Sequence, residues 1–260
     1  MNAKRNRPHK AAEARRSKKT SVGSRNTATR SKAKAAGQVR IIGGQFRRQL
    51  VPFIDADGLR PSPDRLRETL FNWIQFELHD AHVLDLCAGS GVLGFEALSR
   101  GASWVDFIEL QSHQASLISQ TAQKLKLSND NFRLSIGNAL DIIPALPSQK
   151  PLNSAQNIEL PSSDNPSIDG PSIDNNKSDC PSDTFYYHIV FVDPPYDLEL
   201  WVPMINLLID NRLVNSQTLF YIEDKRELNQ TLEQLSYKYN VLKQTKMGQV
   251  FASLLQIEKI

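Results

Sequence analysis

The sequence predicts an α/β protein with a doubly wound, mostly parallel seven-stranded sheet, antiparallel C-terminal strands, and an N-terminal β-hairpin followed by a helix. Two observations indicate this fold. Short apolar segments rich in Val, Ile and Phe alternate with amphipathic helical segments, and a glycine-rich turn follows the first of these strands. At 260 residues the chain is long enough to bury a substantial core. In folds of this class a ligand lies beyond the carboxyl ends of the strands.

The predicted elements occur in the order that such a sheet requires. Before the sheet, β-forming residues interrupted by Gly43-Gly44 predict a hairpin over residues 40–51. Apolar residues at helical spacing predict a helix over residues 62–78, with Pro63 in its first turn. The seven expected strands cover residues 82–87, 104–110, 132–136, 188–193, 218–223, 238–245 and 249–257. The expected helices between them cover residues 91–100, 112–127, 139–146, 198–210 and 226–236.

Charge divides the chain into regions. Residues 1–40 contain 13 Lys and Arg and one acidic residue, a net charge of +12, whereas the remaining chain is net −9. We expect a disordered basic arm over 1–38, the hairpin and helix over 39–80, and a main domain over 81–260. A segment rich in Ser, Pro, Asn and Asp predicts a disordered insert at 147–184. The arm's composition is typical of nucleic-acid contact and also of organellar transit peptides.

Composition argues against several classes of protein. No segment approaches the roughly 20 consecutive apolar residues of a membrane-spanning helix. The two cysteines, Cys87 and Cys180, are too few for a disulfide framework, and the five histidines lack metal-ligand spacing. We therefore expect a protein of a reducing compartment, with no metal and no membrane partner.

The first strand and its turn predict a cofactor site. Glycines in the turn from the strand to the next helix allow backbone N–H groups to approach a ligand, and the helix N-terminus adds positive potential. Gly89–Gly94 matches a dinucleotide fingerprint, but Asp85 within the strand would face a pyrophosphate unfavourably and favours a cationic ligand such as S-adenosylmethionine. Glu109, at the end of the second strand, is expected to accept ribose hydroxyls, which fits either ligand. Asn138-Ala139, after the third strand, is expected beside the adenine. The expected cofactor residues on these strand ends are Asp85, Ala88, Gly89, Ser90, Gly91, Glu109, Leu110, Asn138 and Ala139.

The fourth strand ends in a turn with specific chemistry, Asp193-Pro194-Pro195-Tyr196. Two prolines fix φ twice and remove two N–H donors, so the Asp193 carboxylate and the Pro194 carbonyl remain as outward-facing acceptors. Such acceptors can hold the hydrogens of a nucleobase amino group and leave its lone pair facing a methyl donor. The ring of Tyr196 can stack on an extruded base.

These motifs resemble a known family. Residues 85–102 together with 193–196 resemble class I, Rossmann-like, S-adenosylmethionine-dependent amino-methyltransferases. Residues 40–48 and 60–73 resemble the RsmD family of bacterial ribosomal RNA methyltransferases. The resemblance implies methylation of the 2-amino group of one guanine in small-subunit (16S) ribosomal RNA. The chain departs from the family in its arm, its insert and Cys87, where an aromatic residue is expected.

The resemblance also implies residue roles. Asp193 would orient the amine, Pro194 would be the second acceptor in the turn that Pro195 stiffens, and Tyr196 would stack on the base. Arg60 and Arg67 are expected near the cofactor pocket. Candidate contacts to RNA phosphates on the N-terminal hairpin are Arg40, Arg47 and Arg48.

Two other functions remain open at this stage. The same acceptor geometry would serve an adenine N6 methyltransferase of DNA or RNA, and the fold could belong to a non-catalytic RNA-binding ribosome assembly factor. For the main hypothesis we expect a monomer that acts on ribosomal RNA within a small-subunit particle. The expected location is the bacterial cytoplasm, with organellar import of a precursor as the alternative.

Overall fold

A seven-stranded sheet with the strand order β5-β4-β3-β6-β7-β9-β8 forms the centre of the computed structural model, which describes residues 37–54, 62–147 and 185–258. Neighbouring strands are parallel from β5 to β7, and β9 and β8 are antiparallel. A separate antiparallel pair, β1 and β2, precedes the sheet. The strands are β1 (Gly37–Arg40), β2 (Leu50–Phe53), β3 (His82–Asp85), β4 (Trp104–Glu109), β5 (Phe132–Ile136), β6 (Ile189–Val192), β7 (Leu219–Asp224), β8 (Tyr239–Met247) and β9 (Val250–Ile257).

Helices cover both faces of the sheet. They are α1 (Asp64–Trp73), α2 (Val92–Ser99), α3 (Ser112–Lys124), α4 (Ala139–Ile142), α5 (Trp201–Asp210) and α6 (Leu228–Thr231). Alternate residues of each central strand enter different cores. In β6, for example, Ile189 and Phe191 pack on the side of α1 and α2, whereas Val190 and Val192 pack on the side of α5. Burial on both faces explains why these strands are continuous apolar runs in the sequence.

The predicted fold class is confirmed, with differences at the level of single elements. The doubly wound sheet, its antiparallel C-terminal strands and the N-terminal hairpin are present. Helix α1 ends at Trp73, not at residue 78. The helix expected over 226–236 is a single turn, α6, and its apolar residues Leu228 and Leu232 are buried.

The predicted domain boundaries remain a prediction. β1 begins at Gly37, two residues before the expected start of the hairpin region at residue 39. The arm up to residue 36 and nearly all of the insert, from residue 148 to residue 184, lie outside the described residues.

The described residues from β1 to α1 are called the N-terminal segment, which is attached to the main domain through the buried carboxylate of Glu96 on α2. The backbone N–H groups of Ile42 and Gly43 donate to its two oxygens at 2.6 and 2.7 Å. Arg100 Nε donates at 2.8 Å, and Arg67 Nη1 lies 3.8 Å away. Gly44, at φ 70°, lies so close to α2 that an added Cβ would be 1.8 Å from the Ser99 carbonyl oxygen. This approach explains the Gly43-Gly44 pair.

Replacement of Glu96 tests this attachment. Glu96→Ala leaves two backbone N–H groups and Arg100 Nε–H without their acceptor and removes the charge opposite the buried Arg67, so we expect the free energy of unfolding to fall by about 3–5 kcal/mol in urea denaturation. Glu68→Ala is the matched control. Glu68 is exposed on α1, and its removal is expected to change stability by no more than about 0.5 kcal/mol. A loss below about 1 kcal/mol for Glu96→Ala would contradict the assigned role.

Candidate functional site

A cavity of about 640 Å³ lies at the carboxyl ends of β3, β4, β6 and β7. The chain runs outward from β3 to β5 and then crosses to β6 on the other side of β3, so the cavity is at the point where the strand order reverses. Its volume is in the range usual for small-molecule sites. The predicted site residues that line it are Asp85, Ala88, Gly89, Ser90, Glu109, Leu110, Asn138, Ala139, Asp193, Pro194, Pro195 and Tyr196.

The turn after β3 brings backbone groups to the cavity. Gly89 and Gly91 have φ of 53° and 75°, values that L side chains rarely adopt. Gly89 donates its N–H to Glu109 Oε2 at 2.7 Å. Gly91 is the N-cap of α2 and lies behind the lining residues, where it packs on Phe95 and Ile118. Its contribution is therefore to the shape of the turn.

Asp85 ends β3 with its carboxyl group almost fully buried. Its Oδ2 accepts the backbone N–H of Gly94 at 3.2 Å. Burial raises the pKa of Asp85 to about 7, and the neighbouring charge of Glu109 adds to the rise. The Asp85 carboxyl group therefore changes its charge near neutral pH, and a cation in the cavity would stabilise its charged form.

Glu109 ends β4 and is held by two backbone groups. Gly89 N–H donates to Oε2, and Gln111 N–H donates to Oε1 at 2.8 Å. Burial raises the pKa of Glu109, and these hydrogen bonds oppose the rise. Each oxygen has a second lone pair, so the carboxylate can accept two ligand hydroxyls in a fixed orientation.

The third strand end contributes a capped helix. Asn138 is the N-cap of α4, and its side chain accepts the N–H of Leu140 at 3.0 Å. Ala139, which is buried, and Leu110, which is 65% exposed, also line the cavity. These residues form an apolar wall with a polar edge.

The Asp193 turn lies opposite the glycine turn. Pro195 accepts the N–H of Leu198 at 3.0 Å, which closes a short 3-10 turn at Tyr196. The ring of Tyr196 lies 6.2 Å from that of Trp201, at 21° between planes, with the Lys225 ammonium 5.3 Å from its centroid.

The carboxyl group of Asp193 is held in a strongly perturbed environment. Burial raises its pKa well above the usual range, and the nearby carboxylates of Glu223, Asp85 and Asp224 raise it further. The turn thus presents an acceptor of unusually high proton affinity to the cavity.

Several polar cavity residues were not expected from the sequence, among them Ser62, Glu223, Lys225 and Gln249. Glu223 lies near the end of β7 and is 2% exposed. Its Oε1 accepts the hydroxyls of Ser62 at 2.7 Å and Tyr221 at 2.6 Å. The position of Glu223 at the end of a predicted strand could have indicated that it lies at the cavity. Nothing in the sequence indicated its contact with Ser62.

Arg67, expected near the cofactor pocket, lies next to the lining residue Ser62 but does not itself line the cavity, and its contact with a cofactor remains a prediction. Its buried guanidinium donates to the backbone carbonyls of Ser62 and Arg40, at 3.1 and 3.0 Å, and to Asp64 at 2.6 Å. It therefore organises the N-terminal segment behind the cavity, because it is the internal partner of carbonyls that no strand or helix satisfies. Arg60 lies outside the described residues.

The predicted RNA-binding arginines lie away from the cavity. Arg47 and Arg48 are exposed in the loop between β1 and β2. Arg40 is 64% exposed at its side chain and pairs with Asp64 at 2.7 Å. The assignment of these three residues to RNA remains a prediction.

The charge of the cavity is unbalanced. Among the described lining residues, Asp85, Glu109, Asp193 and Glu223 are acidic and Lys225 is the one cation. Within the same part of the chain, no group of His, Cys, Asp or Glu is arranged to hold a metal ion. The acidic side chains of the cavity therefore fit an organic cation that also carries hydroxyl groups.

No described helix is long and apolar enough to cross a membrane.

Comparison with known proteins identifies the family. A family model described as "Conserved hypothetical protein 95" matches residues 39–154 and 172–256. Ribosomal RNA small subunit methyltransferase D of Escherichia coli K12 is 34% identical over 223 residues, which cover 86% of this chain and 92% of that protein. The chain belongs to this methyltransferase family. The resemblance stated from the Asp85, Asp193 and Arg60–Trp73 motifs is thereby confirmed.

Other relatives agree with this assignment. The protein of the same name from Haemophilus influenzae is 33% identical over 193 residues, 74% of this chain and 82% of that protein. A solved Escherichia coli structure named yhhF, with a methyltransferase designation, matches with a TM-score of 0.62 and 32% identity. The match covers 85% of this chain and 99% of that one. Family and fold thus agree over the described body of the chain.

The raised pKa of Asp85 predicts a pH dependence of stability. A carboxyl group whose pKa is raised by folding stabilises the fold fully below its ordinary pKa, and this contribution is lost as pH rises through the folded value. A rise from 3.8 to about 7 corresponds to at most about 4 kcal/mol. We expect Asp85→Asn to gain stability over the ligand-free parent between pH ~4 and pH ~8, up to that amount, in denaturant titrations.

The control for this pH dependence is Asp210→Asn, since Asp210 is exposed at the end of α5. Its stability relative to the parent is expected to be independent of pH. If the difference in stability between the parent and Asp85→Asn is also independent of pH, burial does not raise the pKa of Asp85.

Proposed function

We propose that this protein transfers the methyl group of S-adenosylmethionine to the 2-amino group of a guanine in 16S ribosomal RNA, in the cytoplasm of a bacterium. The observation on which this rests is that one cavity joins the glycine turn and Glu109 to the Asp193 turn. The first pair suits an adenosine-bearing cation and the second suits an amino group. Relatives named for ribosomal RNA methylation support the choice of substrate.

The residues present fit the proposed cofactor. Asp85 and the N–H groups of the glycine turn would face its amino-acid portion, whose ammonium complements the buried carboxylate. Glu109 would accept the ribose hydroxyls, and Leu110 with Asn138 would flank the adenine. S-adenosylmethionine supplies a methyl group on a positively charged sulfur, and the acidic lining of the cavity favours that charge.

The residues of the Asp193 turn would hold the methyl acceptor. The Asp193 carboxylate and the Pro194 carbonyl each accept one hydrogen of the amino group, which fixes the direction of its lone pair. Pro195 stiffens the turn, and Tyr196 offers its ring to the extruded base. Positioning of this kind accounts for most of the rate enhancement in a bimolecular transfer.

Asp193 has a second role in this proposal. An aromatic amine is a weak nucleophile that becomes positively charged as it attacks, and a buried carboxylate stabilises that charge. Because burial and its acidic neighbours raise its pKa, Asp193 is suited to take the proton that the methylated nitrogen releases. The negative charge of the carboxylate thus serves the attack, and its raised pKa serves the uptake of the proton.

The RNA partner requires positive charge outside the cavity. Arg47 and Arg48 are exposed on the N-terminal segment, and residues 1–40 carry a net charge of +12. Contacts of such groups with phosphates strengthen binding without selecting a base. Selection of the nucleotide would then depend on the cavity.

The direct test of the proposed function is transfer of a tritiated methyl group to small ribosomal subunits, followed by nucleoside analysis. We expect the label in N2-methylguanosine. Asp193→Ala is expected to lower kcat by at least about 100-fold and to leave cofactor affinity within a few-fold, since Asp193 serves the acceptor. Asp197→Ala, an exposed neighbour in the same turn, is the control and should behave as the parent. Label in adenosine, or full turnover of Asp193→Ala, would contradict the proposal.

The cofactor placement has its own test. Glu109→Ala is expected to weaken S-adenosylmethionine binding by about 1–3 kcal/mol in titration calorimetry, the contribution of hydrogen bonds to a charged acceptor. Glu77→Ala, an exposed carboxylate outside the cavity, should bind as the parent does. Unchanged affinity of Glu109→Ala would mean that the ribose lies elsewhere.

A further inference from the structure

Glu223 is a cavity carboxylate to which the chemistry above assigns no role. It lies beside Asp193, because β6 and β7 are parallel and Val192 is opposite Ile222 in their register. The next residue of each strand is therefore at the same level, on strands about 4.8 Å apart. Among the neighbouring charges, that of Glu223 has the largest effect in raising the pKa of Asp193. The two carboxyl groups thus act on the same small region of the cavity.

The orientation of the Glu223 carboxylate is fixed. Both hydroxyls that donate to it within the described chain, Ser62 Oγ and Tyr221 Oη, donate to Oε1. The Glu223 carbonyl oxygen accepts the Nε1–H of Trp201 at 3.0 Å, which holds the backbone at this point. These donors leave Oε2 for a ligand. Burial raises the pKa of Glu223, and the two hydroxyl bonds together with the charge of Arg67 oppose that rise, so the donors around Glu223 favour its acceptor form.

The acceptor beside Asp193 matches one nucleobase edge. In guanine the 2-amino group is next to N1–H, so two neighbouring positions donate hydrogens. In adenine and cytosine the position next to the amino group is a ring nitrogen with a lone pair and no hydrogen. A charged carboxylate attracts the first arrangement and repels the second.

We propose that Glu223 is the specificity-determining residue of the site, and that its Oε2 accepts the N1–H of the target guanine while Asp193 and Pro194 hold the 2-amino group. This inference rests on the proposed function and adds to it the reason for guanine. Ser62 and Tyr221 are positioning residues, since they act on the base through Glu223. The N-terminal segment, which supplies Ser62, is thereby part of base selection.

The test compares two bases that both carry a 2-amino group. Small ribosomal subunits are reconstituted on 16S ribosomal RNA with guanine or 2,6-diaminopurine at the methylated position. Diaminopurine keeps the methyl acceptor and replaces N1–H by a lone pair. We expect the parent protein to prefer guanine by at least about tenfold in kcat/KM, because a buried acceptor is left facing a lone pair.

The variant Glu223→Gln isolates the N1 contact. Its amide has the same shape and can donate to the N1 of diaminopurine, so the preference for guanine is expected to fall at least about tenfold. Glu227→Gln makes the same chemical change at an exposed position outside this cavity and should keep the parent ratio. A thermal unfolding curve and cofactor affinity check the fold of both variants.

The outcomes separate this inference from the function on which it rests. Equal methylation of both bases by the parent, or an unchanged ratio in a folded and active Glu223→Gln, would overturn the role of Glu223 and leave the proposed function standing. If Glu223→Gln loses its fold or its turnover, the test rests on the ratio of kcat/KM for guanine and diaminopurine in the parent protein. Absence of methyl transfer from the parent to guanine N2 would overturn the proposed function and this inference together.

Discussion

Burial of carboxyl groups at one edge of the parallel sheet is the constraint on which the rest of the site depends. Asp85, Glu109, Asp193 and Glu223 end four neighbouring strands, and removal from water raises the pKa of each. The fold compensates with donors such as the N–H of Gly89. Like charges on neighbouring strand ends are costly without a cation, so this edge of the sheet would favour a positively charged ligand.

The same constraint explains why the N-terminal segment is part of the site. Glu96 accepts two backbone N–H groups from the loop after β1, and Arg67 gathers carbonyls from Arg40 and Ser62. Ser62 then donates to Glu223, 161 residues away in the chain. A rigid path of hydrogen bonds thus runs from α2 through the N-terminal segment to the acceptor end of the cavity.

The sequence was sufficient for the fold and for three of the four carboxylates. Strands buried on both faces form continuous apolar runs, so an acidic residue that ends such a run stands out, as Asp85, Glu109 and Asp193 do. Glu223 ends a run as well, but its role depends on hydroxyls brought to it by tertiary structure. The contacts of Arg67 could not be predicted for the same reason, since two of its partners are backbone carbonyls, which leave no pattern in the sequence.

The chemistry of the cavity and the charge of its polymeric substrate make opposite demands. A cationic methyl donor and a base edge rich in N–H groups both require acidic residues, whereas a phosphate backbone is repelled by them. A single protein can meet both demands only if the two charges are separated in space. Asp85, Glu109 and Glu223 are buried at the strand ends, where water screens them poorly, and Asp193 is partly buried beside them. The basic groups of residues 1–40 are concentrated in one stretch of sequence, net +12 against −9 for the remainder. Under the proposed function, attraction to the polymer would fall to the basic stretch of sequence and recognition of one base to the cavity, so each could be changed without loss of the other.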